Sequence, residues 1–228
     1  MRAIVFDFDG VLVNSEPLHF NAFAAAAKTV GITLTEDEYF RELIGYDDRG
    51  AWRKLLELHN CPVTPQQLLK LNDHKMQVMR DQIYDKKYSP LLGVEETVRA
   101  LWRFYPLAIC SGAFREEIEA MLEGINLRDC FRIITAAEDV QNGKPDPEGY
   151  MITLAALSRV AQRKLDPHEC LIVEDAPRVI SAVRELGFQT LGVPTSYGEK
   201  ELGAHHVTKS MKLDDLRKAM PGLKTFEE

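Results

Sequence analysis

Two aspartates lie two residues apart near the start of the chain, directly after a short apolar run. Asp7 and Asp9 follow residues 3–6, which have the length and composition of a buried strand, and Gly10 comes next. Alternation along the chain points both carboxylates to one face, where they repel each other unless a cation or a shared proton lies between them. Gly10 permits an abrupt turn, so a backbone carbonyl and both carboxylates can surround one ion. A plain turn is the alternative, whereas the apolar residues 11–13 exclude a calcium loop.

A second acidic pair, Glu174 and Asp175, ends another apolar run at residues 171–173. The carboxyl ends of parallel strands meet at one edge of a sheet, so the two acidic pairs can come together there. Carboxylate oxygens with room for water molecules form a hard, octahedral site, which favours Mg²⁺ over Zn²⁺. The sequence therefore predicts a magnesium site whose candidate ligands are Asp7, Asp9, Glu174 and Asp175.

Two further strand ends could bind an anionic substrate. Ser111 and Gly112 follow another apolar run and offer a hydroxyl and exposed backbone N–H groups. Lys144 lies on a proline-containing loop, and we expect Asp146 to be the N-cap of the next helix, with Pro147 at its first position. Neither feature is specific alone, but four features in order, each at a strand end, predict one site.

The elements that must position these residues alternate between strand and helix. Apolar, β-branched runs predict buried strands, and amphipathic stretches of helical length lie between them. Such alternation implies an α/β fold with a parallel sheet flanked by helices. The predicted strands are 3–6, 107–110, 133–134, 171–173 and 190–193, and the predicted helices are 95–104, 116–123, 148–160 and 177–186.

Residues 15–87 break this alternation, because the segment contains helical patterns and helix starts but no convincing strand. Thr35 and Thr64 each begin a capping box, and Gly31 and Gly45 are plausible helix ends. We therefore expect an all-helical insert after the first strand, with the sheet domain resuming directly after it.

Composition and charge limit the classes of function. The chain has 228 residues, of which 45% are hydrophobic, and 28 basic against 35 acidic residues give a formal net charge of −7. This balance argues against a nucleic-acid partner held by bulk charge, so an anionic ligand must be held locally. No apolar run reaches the roughly 18 residues of a membrane span, and charged residues occur too early in the chain for a signal peptide. These features predict a cytoplasmic protein with no membrane partner.

The four cysteines have no CxxC pair and predict buried free thiols. Residues 221–228 are predicted to form a loosely held tail.

In its residues at the four strand ends, the chain resembles those members of the haloacid dehalogenase-like phosphohydrolase superfamily that carry a helical cap after the first strand. All four motifs of that family are present, and the resemblance spans essentially the whole chain. It implies that Asp7 is a nucleophile and that Asp9 is a general acid and base whose carbonyl binds magnesium. It also implies that Ser111 and Lys144 bind the phosphoryl group.

The same resemblance implies a Rossmann-like core at 1–14 and 88–228, with an inserted all-helical cap domain at 15–87. Asp175, with Glu174 beside it, would complete the metal site. The implied activity is Mg²⁺-dependent hydrolysis of a small phosphorylated metabolite, such as a sugar phosphate or phosphoglycolate, through an aspartyl-phosphate intermediate. A monomer or weak homodimer is expected.

Differences from particular subtypes of the family reduce the number of possible reaction types. Asp9 argues against dehalogenation and phosphonate cleavage, because those relatives lack the second aspartate. Small-molecule phosphatases and mutases resembling β-phosphoglucomutase both keep the four motifs, so both stay open. Phe23 stands where mutases normally have tryptophan, and Leu71 where they usually have lysine, which favours hydrolysis. A non-catalytic phosphate-binding module is the second alternative, and the retained aspartates and Lys144 argue against it.

Substrate choice is expected to reside in the helical segment. The loop at 46–49 is the first candidate, because Arg49 could meet a second anionic group of the substrate. His19 lies in a stretch similar to the mutase pattern and is another candidate for substrate binding, as is Gly112 in the core. Trp52 and Phe23 are expected to pack between helices.

Overall fold

The structure is a computed structural model that describes residues 1–44, 46 and 48–225. It divides into two compact units, one formed by Met1–Asn14 together with the chain from Ser89 onward, the other by Ser15–Tyr88. The strands are β1 (Ala3–Phe6), β2 (Val13–Asn14), β3 (Ser89–Pro90), β4 (Leu107–Cys110), β5 (Phe131–Thr135), β6 (Cys170–Glu174), β7 (Gln189–Gly192) and β8 (His206–Val207). The helices are α1 (Glu16–Lys28), α2 (Glu36–Glu42), α3 (Asp48–Leu58), α4 (Pro65–Tyr84), α5 (Val94–Trp102), α6 (Arg115–Gly124), α7 (Glu148–Val160), α8 (Pro177–Glu185) and α9 (Leu213–Ala219). The predicted assignment of core and cap domains, which places Tyr88 in the core, stays a prediction.

A six-stranded parallel sheet forms the first unit, in the order β5-β4-β1-β6-β7-β8. Strand β1 lies between β4 and β6, with Ile4 opposite Leu107 on one side and Leu171 on the other. Every residue of these three strands is buried, as expected for parallel strands covered on both faces. The predicted fold class and the five predicted strands are confirmed.

The sequence pattern does not indicate β2, β3 or β8, because each has only two residues. Strands β2 and β3 pair antiparallel, with Val13 opposite Pro90 and Asn14 opposite Ser89. The two short strands lie where the chain leaves the first unit and where it returns.

Helix α7 has the predicted bounds, but its N-terminus differs from the expectation by one residue. Pro147 is the N-cap and not the first helical residue, so the prediction of Asp146 as N-cap was wrong. Asp146 belongs to the preceding turn, where its N–H donates to the Gly143 carbonyl at 3.1 Å. Its side chain still stabilises the helix start, since Oδ1 accepts the Glu148 N–H at 2.9 Å. The other predicted helices of this unit are confirmed to within two residues at each end.

Close packing of α7 on the sheet brings it near the carboxyl end of β4. A Cβ atom added at Gly149 would lie 2.8 Å from Cys110 Sγ, so glycine permits this approach. Tyr150, Leu154 and Leu157 of α7 are buried in the core cluster that contains Cys110.

The free thiols are mostly in the core, as predicted. Cys110, Cys130 and Cys170 are buried. Cys61 is only partly buried, because it lies in the connection between α3 and α4.

Aromatic packing joins the helices of the second unit. Phe23 of α1 and Trp52 of α3 are buried with their ring centroids 4.9 Å apart, which confirms their predicted packing role. Leu71 of α4 belongs to the same buried cluster. Lys75 of α4 is also buried and forms an ion pair with Asp48 of α3, with Nζ 2.9 Å from Oδ2.

The two predicted capping boxes in this unit differ. At α4 the box is complete, because Thr64 Oγ1 accepts the Gln67 N–H and the Gln67 side chain accepts the Thr64 N–H at 2.8 Å. Helix α2 has only the first half, with Thr35 Oγ1 accepting the Glu38 N–H at 3.2 Å. The prediction of a full box there was wrong, since the Glu38 carboxylate instead contacts an imidazole 2.8 Å away, that of His59.

One of the two predicted helix ends can be located. Gly31 follows α1 with φ +81°, and its N–H donates to the Lys28 carbonyl at 3.1 Å. Gly45 and Asp47, from the predicted second helix end and the loop that follows it, lie outside the described residues.

The prediction of a loose tail was wrong for residues 221–225. Leu223 and Thr225 are buried, and the Lys224 N–H donates to the Tyr105 hydroxyl at 3.0 Å. These contacts hold the segment against the first unit, whereas the last three residues lie outside the described part. Among the described residues, no helix combines the length and the apolar character that a membrane crossing requires.

Candidate active site

The loop after β1 carries the first acidic pair. Asp7 is buried, and its N–H donates to the Val173 carbonyl at 2.8 Å, so the hydrogen bonding of the sheet continues to this residue. Gly10 has φ +77°, and a Cβ atom added there would lie 2.4 Å from Asp175 Oδ2. Glycine at this position therefore allows the loop to turn and the Asp175 carboxylate to approach it.

Lys144 joins the two acidic strand ends. Its Nζ lies 2.6 Å from Asp7 Oδ1 and 2.9 Å from Glu174 Oε1. Both carboxylates are largely removed from water, and only 19% of the lysine side chain is exposed. Charge-assisted hydrogen bonds of this kind are short and strong, so they fix the ammonium between the two strands.

Glu174 accepts hydrogen bonds at both carboxylate oxygens. Oε2 accepts the N–H groups of Asp175 and Ala176, both at 2.7 Å. Oε1 accepts the Tyr150 hydroxyl at 3.2 Å in addition to Lys144. A carboxylate has about four lone-pair positions, and four donors meet this one.

The loops after β4 and β7 complete the site. Ser111 Oγ lies 3.4 Å from Asp9 Oδ2 and accepts the Ala113 N–H at 3.0 Å, so this hydroxyl is held beside the second aspartate of the β1 loop. Ser196, in the loop after β7, donates to Asp175 Oδ2 at 2.7 Å. Each of these polar side chains therefore has a neighbour that orients it.

Burial and mutual charge perturb the ionisable groups. Burial raises the pKa of Asp7 well above its usual value, and the carboxylates of Glu174, Asp175 and Asp9 raise it further, while Lys144 opposes the shift. Burial by itself would lower the pKa of Lys144, but Asp7 and Glu174 together raise it well above the ordinary lysine value. The cluster holds more negative than positive charge, which favours binding of a cation.

Three carboxylates lie close enough together to bind such a cation. Asp7, Glu174 and Asp175 each offer an oxygen, and these oxygens lie within 4.8 Å of one another. Oxygen-only donors suit Mg²⁺ better than a softer metal, so the residues present fit the predicted ion. The Asp9 carboxylate is outside this group and lies beside Ser111, and the role of its carbonyl as a ligand stays a prediction.

The structure thus brings together Asp7, Asp9, Ser111, Lys144, Glu174 and Asp175. Gly112 is exposed beside Ser111, with open space where a side chain would be. His19 is half-buried on α1 and Arg49 is exposed on α3, both in the helical unit. Their substrate-binding roles stay predictions.

Two residues at this site were not predicted from the sequence. Tyr150 lies on the apolar face of α7, where helical periodicity marks it as a core residue and nothing marks its hydroxyl. Ser196 follows a weakly patterned strand in a polar segment. Position at a strand end would have been the available signal for Ser196, since β7 is next to β6 in the sheet.

Comparison with known proteins agrees with this geometry. Residues 4–193 match the family model described as haloacid dehalogenase-like hydrolase. A phosphorylated carbohydrates phosphatase of Thermotoga maritima is 28% identical over 199 residues, which cover 84% of each chain. A β-phosphoglucomutase of Bacillus subtilis is 26% identical over 216 residues, covering 92% of this chain and 89% of the relative. The crystal structure of CbbY from Rhodobacter sphaeroides in complex with phosphate superposes with a TM-score of 0.82 at 21% identity, covering 98% of this chain and 99% of that one, and confirms the fold.

Proposed function

Because this chain belongs to the haloacid dehalogenase-like hydrolase family, we propose that it is a phosphatase that hydrolyses small phosphate monoesters through an aspartyl-phosphate intermediate. The family and the named phosphatases among the relatives support hydrolysis. The choice of phosphate esters and the covalent route rest on the residues of the site.

The observation that carries the proposal is the contact of Lys144 with Asp7, at 2.6 Å. A buried carboxylate is a poor partner for an anionic phosphate ester unless positive charge lies beside it. Here an ammonium at contact distance supplies that charge despite the net charge of −7. Surface charges are screened beyond about 8 Å at physiological salt, so the local contact dominates.

In the first step, an oxygen of the Asp7 carboxylate attacks phosphorus, and the bond from phosphorus to the ester oxygen breaks. Asp9 donates its proton to the departing oxygen, so the alcohol leaves as a neutral molecule. The Ser111 hydroxyl and the Lys144 ammonium bind phosphoryl oxygens and offset their charge.

In the second step, Asp9 removes a proton from water. The water oxygen forms a bond to phosphorus, the bond from phosphorus to Asp7 breaks, and inorganic phosphate is released. Asp9 regains its proton and Asp7 its carboxylate, so both residues are restored for another turnover.

We propose Asp7 and Asp175 as the direct ligands of Mg²⁺, with Glu174 beside them, because the oxygens of Glu174 already accept four hydrogen bonds. The charge of the ion would stabilise the phosphoryl oxygens during both displacements. Support comes from three carboxylate oxygens that lie within 4.8 Å of one another in a buried cluster. Burial is the main cause of the raised pKa of Asp7, and the neighbouring carboxylates add to it while Lys144 opposes it.

Phosphorylated sugars are the proposed substrate class. The Thermotoga maritima relative is a phosphatase of phosphorylated carbohydrates, which supports this choice. Arg49 and His19 of the helical unit are the proposed contacts for the non-reacting part of the substrate, and Gly112 for the phosphoryl group.

The proposal is tested by Asp7→Asn with an aryl phosphate as substrate. We expect turnover to fall at least about a thousandfold, because the amide cannot form the acyl-phosphate bond. Asp214→Asn is the control, since that side chain lies on α9 and is 81% exposed. Near-normal release of phosphate by Asp7→Asn, with the control also normal, would contradict the covalent mechanism.

The mutase alternative needs a different substrate. With β-glucose 1-phosphate, we expect free phosphate to accumulate. Phe23 and Leu71 stand where mutases normally have tryptophan and lysine, and both are buried apolar residues of the helical unit. The assay follows free phosphate and glucose 6-phosphate together. Stoichiometric glucose 6-phosphate with little phosphate would reject hydrolysis in favour of transfer.

A further inference from the structure

Tyr150 is a completely buried polar residue beside the proposed active site. It lies in the first turn of α7, six residues after Lys144. Its hydroxyl donates to Glu174 Oε1 at 3.2 Å, and the centre of its ring lies 5.1 Å from Lys144 Nζ. The tyrosine therefore contacts the lysine in two ways, through a shared acceptor and through its ring.

The shared acceptor cannot move freely. Glu174 Oε2 is held by the N–H groups of Asp175 and Ala176, both at 2.7 Å, which fixes one end of the carboxylate. The other end, Oε1, accepts the Tyr150 hydroxyl at 3.2 Å and the Lys144 ammonium at 2.9 Å. The hydroxyl thus helps to determine where Oε1 lies, and Oε1 helps to determine where the ammonium lies.

The ring adds a second constraint on the same ammonium. A cation within about 6 Å of an aromatic centroid is attracted to the face of the ring, and the attraction grows when both groups are removed from water. Tyr150 is fully buried and most of the lysine side chain is covered. Lys144 therefore lies among the Asp7 carboxylate, the Glu174 carboxylate and this aromatic ring.

We propose that Tyr150 is a positioning residue of the enzyme, which acts through Glu174 and Lys144 to hold the ammonium where it meets the phosphoryl group. The inference rests on the proposed function. The hydroxyl does not itself touch the substrate in this role. It matters because an error of about 1 Å in a charged group can cost a hundredfold in rate.

The first test compares two tyrosine variants that each lose one buried hydroxyl. Tyr150→Phe keeps the ring and removes the hydrogen bond to Glu174. Tyr105→Phe is the matched control, because that hydroxyl accepts the Lys224 N–H at 3.0 Å near the amino end of β4, away from the catalytic edge. We expect both variants to lose a few degrees of melting temperature, since each loses one hydrogen bond.

Turnover separates the two variants. With an aryl phosphate, we expect Tyr150→Phe to lower kcat about tenfold and to change KM less, because the charge that Lys144 offsets is greatest in the transition state. Tyr105→Phe should keep wild-type kcat. A Tyr150→Phe enzyme with kcat within twofold of wild type would overturn the inference.

A double-mutant cycle tests whether the effect passes through the lysine. In a Lys144→Ala background, we expect Tyr150→Phe to have no further effect on the residual rate, since the group that it positions is gone. An equal fold-loss in both backgrounds would show that Tyr150 acts independently of Lys144 and would reject the inference.

A pair of non-natural residues covers the case in which Tyr150→Phe does not fold. Tyr150→4-aminophenylalanine keeps a donor at the ring position of the hydroxyl, whereas Tyr150→4-methylphenylalanine fills a similar volume without one. We expect only the amino variant to approach wild-type kcat, and equal kcat for both would refute the role of the hydroxyl. Asp7→Asn separates this inference from the function itself, because a fully active Asp7→Asn removes the mechanism, while an inactive one leaves Tyr150 to be judged alone.

Discussion

Gly10 determines how closely the β1 loop approaches the acidic end of β6. Its φ of +77° lies in the left-handed region, and the position of a Cβ atom would be 2.4 Å from Asp175 Oδ2. That oxygen is also held by Ser196 at 2.7 Å, so it cannot move away without breaking a hydrogen bond. Position 10 therefore requires glycine for two reasons: its backbone is left-handed, and a side chain would collide with the Asp175 carboxylate.

We predict that Gly10→Ala lowers turnover of an aryl phosphate at least about a hundredfold, because the methyl group displaces the Asp175 carboxylate. The left-handed backbone should also cost about 1 kcal/mol of stability. Gly31→Ala is the control, since Gly31 has φ +81° but no atom within 4 Å of the added methyl group. We expect the control to melt at a lower temperature and to keep its activity. Equal activity of the two variants would show that the contact with Asp175 is unimportant.

Residue types predicted the acidic groups, because charge at the end of an apolar run has few structural explanations. Lys144 lies on a loop nine residues after β5, and it was predicted only because it takes its place in the order of the four features. Residue types could not predict Tyr150 or Ser196, whose functional atoms are single hydroxyls on residues common in cores and loops. The contact of Asp9 with Ser111, at 3.4 Å, likewise depends on how far each loop turns after its strand, and sequence spacing does not contain that distance.

At the scale of elements, the ends of β4 and β5 are joined by the first residue of α6. Arg115 donates from Nη2 to the Ile134 carbonyl at 3.0 Å and forms an ion pair with Asp139. The backbone supports the same connection, since the Ala137 N–H donates to the Ala113 carbonyl at 3.0 Å. The loop that carries Ser111 is therefore tied to the loop that leads towards Lys144.

Arg115→Ala should loosen this connection and lower kcat/KM about tenfold, which corresponds to about 1.4 kcal/mol of transition-state stabilisation. Arg163→Ala is the control, because Arg163 forms a comparable surface ion pair with Glu169 beyond the far end of α7. We expect the control to stay within twofold of wild type in kinetics with an aryl phosphate. If both variants kept full activity, the loops would be positioned without Arg115.

Periodicity and capping residues predicted the long elements well, because a buried face or a cap leaves a local pattern. The two-residue strands carry too few residues for a pattern. The Thr35 box failed for a different reason: Glu38 has a competing partner, His59, 21 positions away in sequence. Tertiary contacts of this kind override a local motif, and so does the turn that moves the start of α7 past Asp146.

At the scale of the whole molecule, the prediction of buried free thiols is confirmed for Cys110, Cys130 and Cys170 and was wrong for Cys61. Burial raises the pKa of Cys110 and of Cys170 to about 12, and it also raises the pKa of Cys130. The thiolate is the reactive form, so a raised pKa and exclusion from water both suppress reaction. Cys61 differs because it is partly exposed in the connection between two helices.

We predict that the native protein at pH 8 reacts rapidly with a chromogenic disulfide reagent at about one thiol, and that all four react after unfolding in guanidinium. Cys110 and Cys170 should react slowly in the native protein because of their raised pKa values. The pH of 8 lies about four units below 12, so about 1 in 10⁴ of these thiols is ionised. Cys61→Ala should remove the rapid phase and leave the melting temperature nearly unchanged. Rapid reaction of two or more thiols in the native state would mean that the core of the sheet unit opens far more readily than its burial implies.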